Sequence, residues 1–342
     1  MIHDLFGNST IKADPLGLPY MGSKRKYAND LICKMLEQKP HAKYFYDLFG
    51  GGGAMSFAAL QKGMTVFYNE KQTCLVNFIA FIFECIKEPK SEFGIFPPEY
   101  YNFITREEFI RLRTESGNYA QFARICYSFG NNQKCYLYNP ELEVKKHLMH
   151  DVVVFRCEKS LAALNEYHGS IFSLSDKKTY SERRLDLRKN IFEFYSKSKK
   201  GDNEGIMQQL QQLESLERLQ ILESLERLQS LQRLQSLERL ERLESLESKI
   251  TFTNLDYRDV QITTPIAETI VYCDPPYRGT AKYIEDLNYD NLDKWFLELP
   301  YLAFMSEYTA PFKSIYEIKT RSTLSAQGSC PKIEKLYVNG TN

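Results

Sequence analysis

The chain has 342 residues, of which 43 % are hydrophobic, and its 44 basic and 44 acidic side chains leave no formal net charge. That apolar share can bury a core, which excludes global disorder, and the length suggests two domains at about 100–200 residues each. A neutral total excludes a uniformly basic nucleic-acid binder but not a local basic face.

The opening segment MIHDLFGNST has no basic region followed by an apolar run, and no apolar stretch reaches about 18 residues. Neither a signal peptide nor a membrane span is expected, and a cytoplasmic location is. The eight cysteines, Cys33, Cys74, Cys85, Cys126, Cys135, Cys157, Cys273 and Cys330, show no CxxC pair and no clustering with histidines. They read as buried, reduced thiols, with no metal site.

In chain order, residues 44–49 (YFYDLF) and 64–70 (MTVFYNE) read as short aromatic and β-branched strands. Between them a run of four glycines leads into a helix from Ala54 to Gln61. The glycines of 47–53 (DLFGGGG) permit a tight turn and a close approach to a ligand. The following helix offers its N-terminal amides to an anion. The spacing is neither GxGxxG nor a P-loop, which disfavours dinucleotide and P-loop readings. Glu70, about 20 residues on at the next strand end, is placed to accept from ribose hydroxyls. The same residues also fit a glycine-rich turn followed by a surface glutamate.

The middle of the chain, 86–206, has a different texture, rich in Tyr, Phe, Arg, Lys and Asn. Phe122, Arg124, Tyr127 and Phe129 are followed by Asn131, Asn132, Lys134 and Tyr136. Residues 177–200 are strongly basic, with Lys177, Lys178, Arg183, Arg184, Arg188, Lys189, Lys197, Lys199 and Lys200. Interleaved aromatic and basic side chains can stack on bases and hold phosphates. A helix with a solvated charged face has the same composition.

Residues 207–248 form a low-complexity repeat with leucine at every third position over 210–246. Leu, Glu, Gln and Arg favour a helix. A step of three turns about 300° at about 3.6 residues per turn, so each leucine lags the last by about 60°. That column is not a fixed heptad seam. A helical spacer or arm that wraps, breaks or self-associates is expected, and a solenoid of short strands is the alternative.

A further strand, 269–273 (TIVYC), ends at Asp274, Pro275, Pro276 and Tyr277. Two prolines fix φ and remove two donors, stiffening the chain where a strand meets the ligand edge of an α/β sheet. Asp274 and the Pro275 carbonyl can accept from an amine while Tyr277 offers a flat face to its ring. The alternative is a rigid turn with an exposed aspartate. Residues 302–308 (LAFMSEY) read as one more strand.

These elements predict an α/β fold, a Rossmann-like doubly wound sheet built from 1–85 and 249–342. Residues 86–206 would be an inserted recognition region and 207–248 the leucine-rich arm. The chain resembles the Dam-like, α-class N6-adenine DNA methyltransferases, a DPPY amino-methyltransferase family. The likeness rests on 274–277 (DPPY), 47–53 (DLFGGGG) and 19–26 (PYMGSKRK), in the family's order. Ser306, Glu307 and Tyr308, the stretch TFTNLDYRD over 251–259, and Glu334, Lys335 and Leu336 resemble further family motifs.

The resemblance implies transfer of a methyl group from S-adenosylmethionine to the exocyclic amine of an adenine flipped out of duplex DNA. It implies catalytic roles for Asp274, Pro275, Pro276 and Tyr277. Cofactor contacts would come from Tyr20, Lys24, Asp47, Phe49, Gly50, Gly52, Glu70 and Asp274, with no metal. DNA would be read by Arg124, Asn131, Asn132, Lys134 and Tyr136. A cognate restriction endonuclease and self-association through the repeat are the further partners considered. An RNA or protein amino-methyltransferase and an inactive, partner-recruiting DNA-binding protein are the rival functions.

Overall fold

The computed structural model describes residues 16–20, 22–197, 248–279, 287–321 and 331–340, together with 234 and 246. The expected leucine-repeat arm lies outside these residues except for Leu234, Leu246 and Ser248. The chain divides into two compact units, one formed by Met1–Ala80 with Arg242–Asn342 and the other by Phe81–Glu241.

The first unit is a seven-stranded mixed sheet. Its strands are β1 (Tyr44–Asp47), β2 (Thr65–Asn69), β3 (Ile250–Thr253), β4 (Thr269–Cys273), β5 (Leu302–Glu307), β6 (Lys313–Arg321) and β7 (Pro331–Val338). They lie in the order β3-β2-β1-β4-β5-β7-β6. The first five run parallel, and β7 is antiparallel to both β5 and β6. All five residues of β4 are buried, as a central parallel strand covered on both faces requires.

Side chains alternate across the sheet. Phe45 and Tyr272 stack on one face with ring centroids 6.1 Å apart. Tyr46, Val271, Cys273, Ala303 and Met305 form a core cluster with Leu292 and Phe296 of α9 (Tyr289–Glu298). Those two α9 residues are four apart, hence on one helix face. Asn288 caps α9 by accepting from the Asn291 amide at 2.9 Å. Helix α2 (Ala54–Gln61) has the bounds expected of it and packs on β1 and β2 beside α1 (Ala28–Gln38).

The β6 strand is the element the sequence pattern conceals. Its register shifts between Ser314 and Tyr316, and such a bulge changes the side-chain phase. Ile315 and Ile318 consequently stand three apart instead of two or four, and no alternation is visible.

The second unit is helical among the described residues. It contains α4 (Arg106–Leu112), α5 (Asn118–Cys126), α6 (Pro140–Val154), α7 (Glu158–His168) and α8 (Tyr180–Lys197), while the division between the units falls inside α3 (Thr73–Lys87). Its core is aromatic: the rings of Tyr100 and Phe122 meet edge-on at 5.0 Å, and Phe103 and Tyr127 at 5.6 Å. Phe122 and Tyr127, considered above as base-stacking residues, are buried core. Arg183 of the basic stretch donates to the Val153 and Val154 carbonyls at the end of α6, at 2.5 and 3.2 Å. Its charge therefore serves a helix C-terminus.

Seven described cysteines are free. Cys33, Cys74 and Cys135 are exposed, which corrects the expectation that the thiols are buried. No described helix is long and apolar enough to cross a membrane.

Asn69 ties the strand ends together. Its amide nitrogen donates to the Leu48 and Leu255 carbonyls at 3.1 and 3.0 Å, and its oxygen accepts from Leu255 N and Thr253 Oγ1 at 3.0 and 2.9 Å. The residue is buried, so truncation leaves several backbone groups without water or partner. Asn69→Ala is expected to cost about 2–3 kcal/mol, read as a lowered urea midpoint with an unchanged m-value.

Candidate active site

Parallel strands that end together bring their last residues to one edge of the sheet. Asp47 ends β1, Glu70 follows β2, and Asp274 follows β4. The sequence reading of Asp274 as the residue that follows its strand holds, whereas the first strand, expected over 44–49, stops at Asp47 and the second, expected over 64–70, stops at Asn69.

The loop after β1 is packed too tightly for side chains. A Cβ at Gly50 would lie 2.2 Å from the Tyr68 ring, and one at Gly53 would lie 2.7 Å from Phe57, with Gly53 also at φ +75°. The buried Tyr68 donates to the Gly51 carbonyl at 2.8 Å, fixing the loop from below. Glu70 accepts from the Gly51 amide and from the Gln72 amide, both at 2.9 Å. Gln72 in turn donates to the Tyr20 hydroxyl at 2.8 Å. Tyr20, Gly51 and Glu70 are thus parts of one connected wall. Phe49 is half-buried and packs against Tyr257 at 5.2 Å between centroids.

Asp47 is 1 % exposed, and its Oδ2 accepts from the Ser56 hydroxyl at 2.7 Å. Its Oδ1 is buried with no hydrogen-bond partner. Burial pushes the carboxyl up to about 7 against the Ser56 bond, with the Asp274 and Glu70 charges adding to the rise. An orphaned carboxylate oxygen beside a glycine loop is a ready acceptor for an amino or hydroxyl group of a bound molecule.

Asp274 is the second centre. Lys24 Nζ donates to both of its oxygens, at 2.8 and 2.7 Å, and also to the Gly22 carbonyl at 3.2 Å. The same ammonium lies 4.9 Å from the Tyr277 ring centroid and 3.5 Å from Glu334 Oε1. Burial raises the Asp274 carboxyl to about 6, opposed by Lys24 and assisted by Glu334. Burial pulls the Lys24 ammonium down, but Asp274 and Glu334 outweigh it and the net shift is upward. The side chain of Asp274 remains 19 % exposed, so it is crowded by protein yet reachable.

The turn after Asp274 is braced on its far side. The Pro276 carbonyl accepts from the Tyr289 hydroxyl at 2.8 Å, and the Arg278 amide donates to Glu307 at 3.0 Å. Tyr277 and Tyr308 meet edge-on at 4.7 Å. Glu334 is the residue the sequence missed as part of this site. Its segment resembles a further family motif, but nothing local marks that glutamate as the neighbour of residue 24.

The residues expected to read DNA lie in the second unit. Ser128 pairs with Tyr136 across a tight loop whose Gly130, Asn131 and Gln133 all have φ near +58°. Asn132 spends its side-chain oxygen on the Lys134 and Cys135 amides, at 2.8 and 2.9 Å. Arg124 donates to Gln121 and to the Leu112 and Glu115 carbonyls. Tyr136 donates to the Ile104 carbonyl at 2.8 Å under the Arg106 guanidinium. Arg124, Asn132 and Tyr136 therefore hold the loop, while Phe129 and Lys134 are exposed on it.

The parallel sheet with an antiparallel β7 and an acidic, glycine-lined edge is consistent with a methyltransferase fold. Residues 20–147 and 227–339 match the model of the D12 class N6 adenine-specific DNA methyltransferases, more than half of the chain. The chain belongs to that family, whose reaction is methylation of adenine in DNA. No curated protein matches it.

The raised carboxyls of Asp47 and Asp274 have a consequence for stability. A carboxyl with a raised folded value stabilises fully below its ordinary value near 3.8, and loses that contribution as pH rises through about 6 for Asp274 and about 7 for Asp47. Asp47→Asn is expected to flatten the fall in melting temperature between about pH 4 and 7 relative to the unsubstituted, ligand-free chain. Parallel melting curves across that range check it.

Proposed function

We propose that this chain transfers the methyl group of S-adenosylmethionine directly to the exocyclic amine of an adenine flipped out of duplex DNA. The observation that carries the proposal is a reachable but desolvated carboxylate, Asp274, beside an aromatic face, one strand away from a glycine loop with an orphaned acceptor.

The chain's residues fit the cofactor. Asp47 Oδ1 would accept from its amino group and Glu70 from its ribose hydroxyls. The close backbone of Gly50 and Gly52, with Tyr20 beside Gly51, would line its path. When bound it supplies an electrophilic methyl group on a sulfonium.

Asp274 and the Pro275 carbonyl would accept the amine hydrogens and fix the nitrogen lone pair in direction. Tyr277 would carry the ring. The acceleration comes from orientation and from preorganised negative charge facing a nitrogen that turns positive as it is methylated. Braced by Glu307 and Tyr289, the turn need not reorganise during transfer.

DNA contact is assigned to the 128–136 loop. Its left-handed backbone at Asn131 and Gln133, unusual for residues with side chains, is held by the bonds of Asn132 and presents Phe129 and Lys134 outward. Stacking by Phe129 and phosphate or base contact by Lys134 would suit that presentation.

Labelled methyl transfer to unmethylated duplex DNA, with the product nucleoside identified by mass, tests the reaction, and 6-methyladenine is expected. Asp274→Ala should lower the transfer rate at least about 100-fold in a chain that still folds, with a lowered melting temperature because the buried Lys24 loses its main partner. A folded Asp274→Ala chain with substantial turnover removes the assignment. Asp274 accepts the amine only when ionised, so the wild-type rate should fall about tenfold per pH unit below about 6.

A further inference from the structure

The ammonium of Lys24 occupies the carboxylate that an adenine amine would use and lies against the ring that would carry the base. It engages both oxygens of Asp274, at 2.8 and 2.7 Å, and it stands 4.9 Å from the centre of the Tyr277 ring. An amine cannot bind Asp274 in the same way until Lys24 gives up at least one oxygen. Lys24 is buried, so letting go without a second partner would leave a desolvated cation and cost several kcal/mol.

A second partner is already in place. Glu334 comes from β7, 310 positions away in sequence, and its Oε1 lies 3.5 Å from Lys24 Nζ, too far for a good hydrogen bond. That oxygen is buried and accepts no short, well-aligned hydrogen bond, although Glu334 already interacts with both Lys24 and the Tyr277 hydroxyl. A short movement of the ammonium would shorten its existing 3.5 Å pairing with Glu334 into a full hydrogen bond while clearing Asp274. The exchange moves one cation between two buried carboxylates and changes no net charge, which keeps its cost small.

We infer that Glu334 is a positioning residue for methyl transfer, receiving the Lys24 ammonium from Asp274 as the substrate amine arrives. Lys24 is then the placeholder that keeps Asp274 paired while no adenine is bound, and Glu334 is where it goes. The inference rests on the assignment of Asp274 made above.

The charged and titratable groups facing Asp274 come from several elements: Lys24 from the N-terminal segment, Asp47 from β1, Tyr277 from its own turn, Glu307 and Tyr308 from the end of β5, and Glu334 from β7. Of these, Lys24 and Glu334 are the strongest charged influences on Asp274, with opposite signs, Lys24 lowering it and Glu334 raising it.

The test compares single-turnover methylation of duplex DNA by wild type, Glu334→Gln and Glu334→Asp across pH, with melting curves and cofactor affinity measured alongside. Glu334→Gln is expected to slow transfer about tenfold to a hundredfold at unchanged cofactor affinity. Its acid limb should move to lower pH, because a negative charge that raised Asp274 is gone. A merely structural role would slow transfer without moving that limb. Glu334→Asp keeps the charge but draws it back by one methylene. It should keep the limb in place, recover part of the rate, and bear the test alone if the glutamine variant does not fold.

A Glu334→Gln transfer rate within about twofold of wild type overturns the inference, as does a slowed Glu334→Gln whose acid limb has not moved or, if only Glu334→Asp folds, an aspartate variant within about twofold of wild type. The site assignment fails separately, if wild type does not methylate DNA or if Asp274→Ala retains turnover. Full activity of the Glu334 variants in an enzyme that Asp274→Ala abolishes sinks only the handover.

Discussion

Carboxylates held out of water at the end of a parallel sheet are the constraint on which this unit is built. Asp47, Glu70 and Asp274 end or follow three strands of the set β2-β1-β4, and parallel pairing forces those ends to one edge. Desolvating an ion costs several kcal/mol, more than one good hydrogen bond returns. Each carboxylate is therefore compensated differently. Glu70 takes two backbone amides, Asp47 one hydroxyl, and Asp274 a whole lysine. The compensation is complete for none of them, which is why burial raises all three carboxyls. An edge left under-compensated in this way favours a ligand that brings amino or hydroxyl donors.

The scaffold beneath that edge is correspondingly over-determined. Asn69 closes four hydrogen bonds around the β1 and β3 ends. Asn339 does the same at the far side of the sheet, joining the Ala303 amide to carbonyls of Phe296 and Tyr301. Tyr272 in the central strand shares a hydrogen bond of 2.7 Å with Ser306 of the neighbouring strand. Buried polar networks of this kind add little net stability but penalise every alternative arrangement. Backbone positions at the edge are held by such groups, so side chains that carry chemistry need not be held by their own packing.

Local signals account for what was legible in the sequence. The strand 269–273 and helix 54–61 have their expected bounds, because a run of β-branched and aromatic residues ending in two prolines, and a helix opening after glycines, are punctuated on the chain itself. The bulged β6 was hidden, since one shifted residue erases the alternation by which strands are read. The aromatic richness of the second unit was legible as composition but not as location. Phe122 and Tyr127 look like base-stacking residues in a list of neighbours and prove to be core, while Phe129, two positions beyond Tyr127, is exposed.

The sequence by itself determined the kind of chemistry available: a rigid acceptor turn at 274–277, a glycine loop at 47–53, a carboxylate at 70, and the family to which their order belongs. Tertiary structure alone decided which charges meet. Lys24 and Asp274 are 250 residues apart and Glu334 lies 60 beyond, yet the three share one desolvated pocket. No periodicity or spacing along the chain encodes such a meeting. It follows from strand order, which places β7 beside β5 and β4 beside β1, and from the loss of water that makes each unpaired charge there seek a partner across the fold.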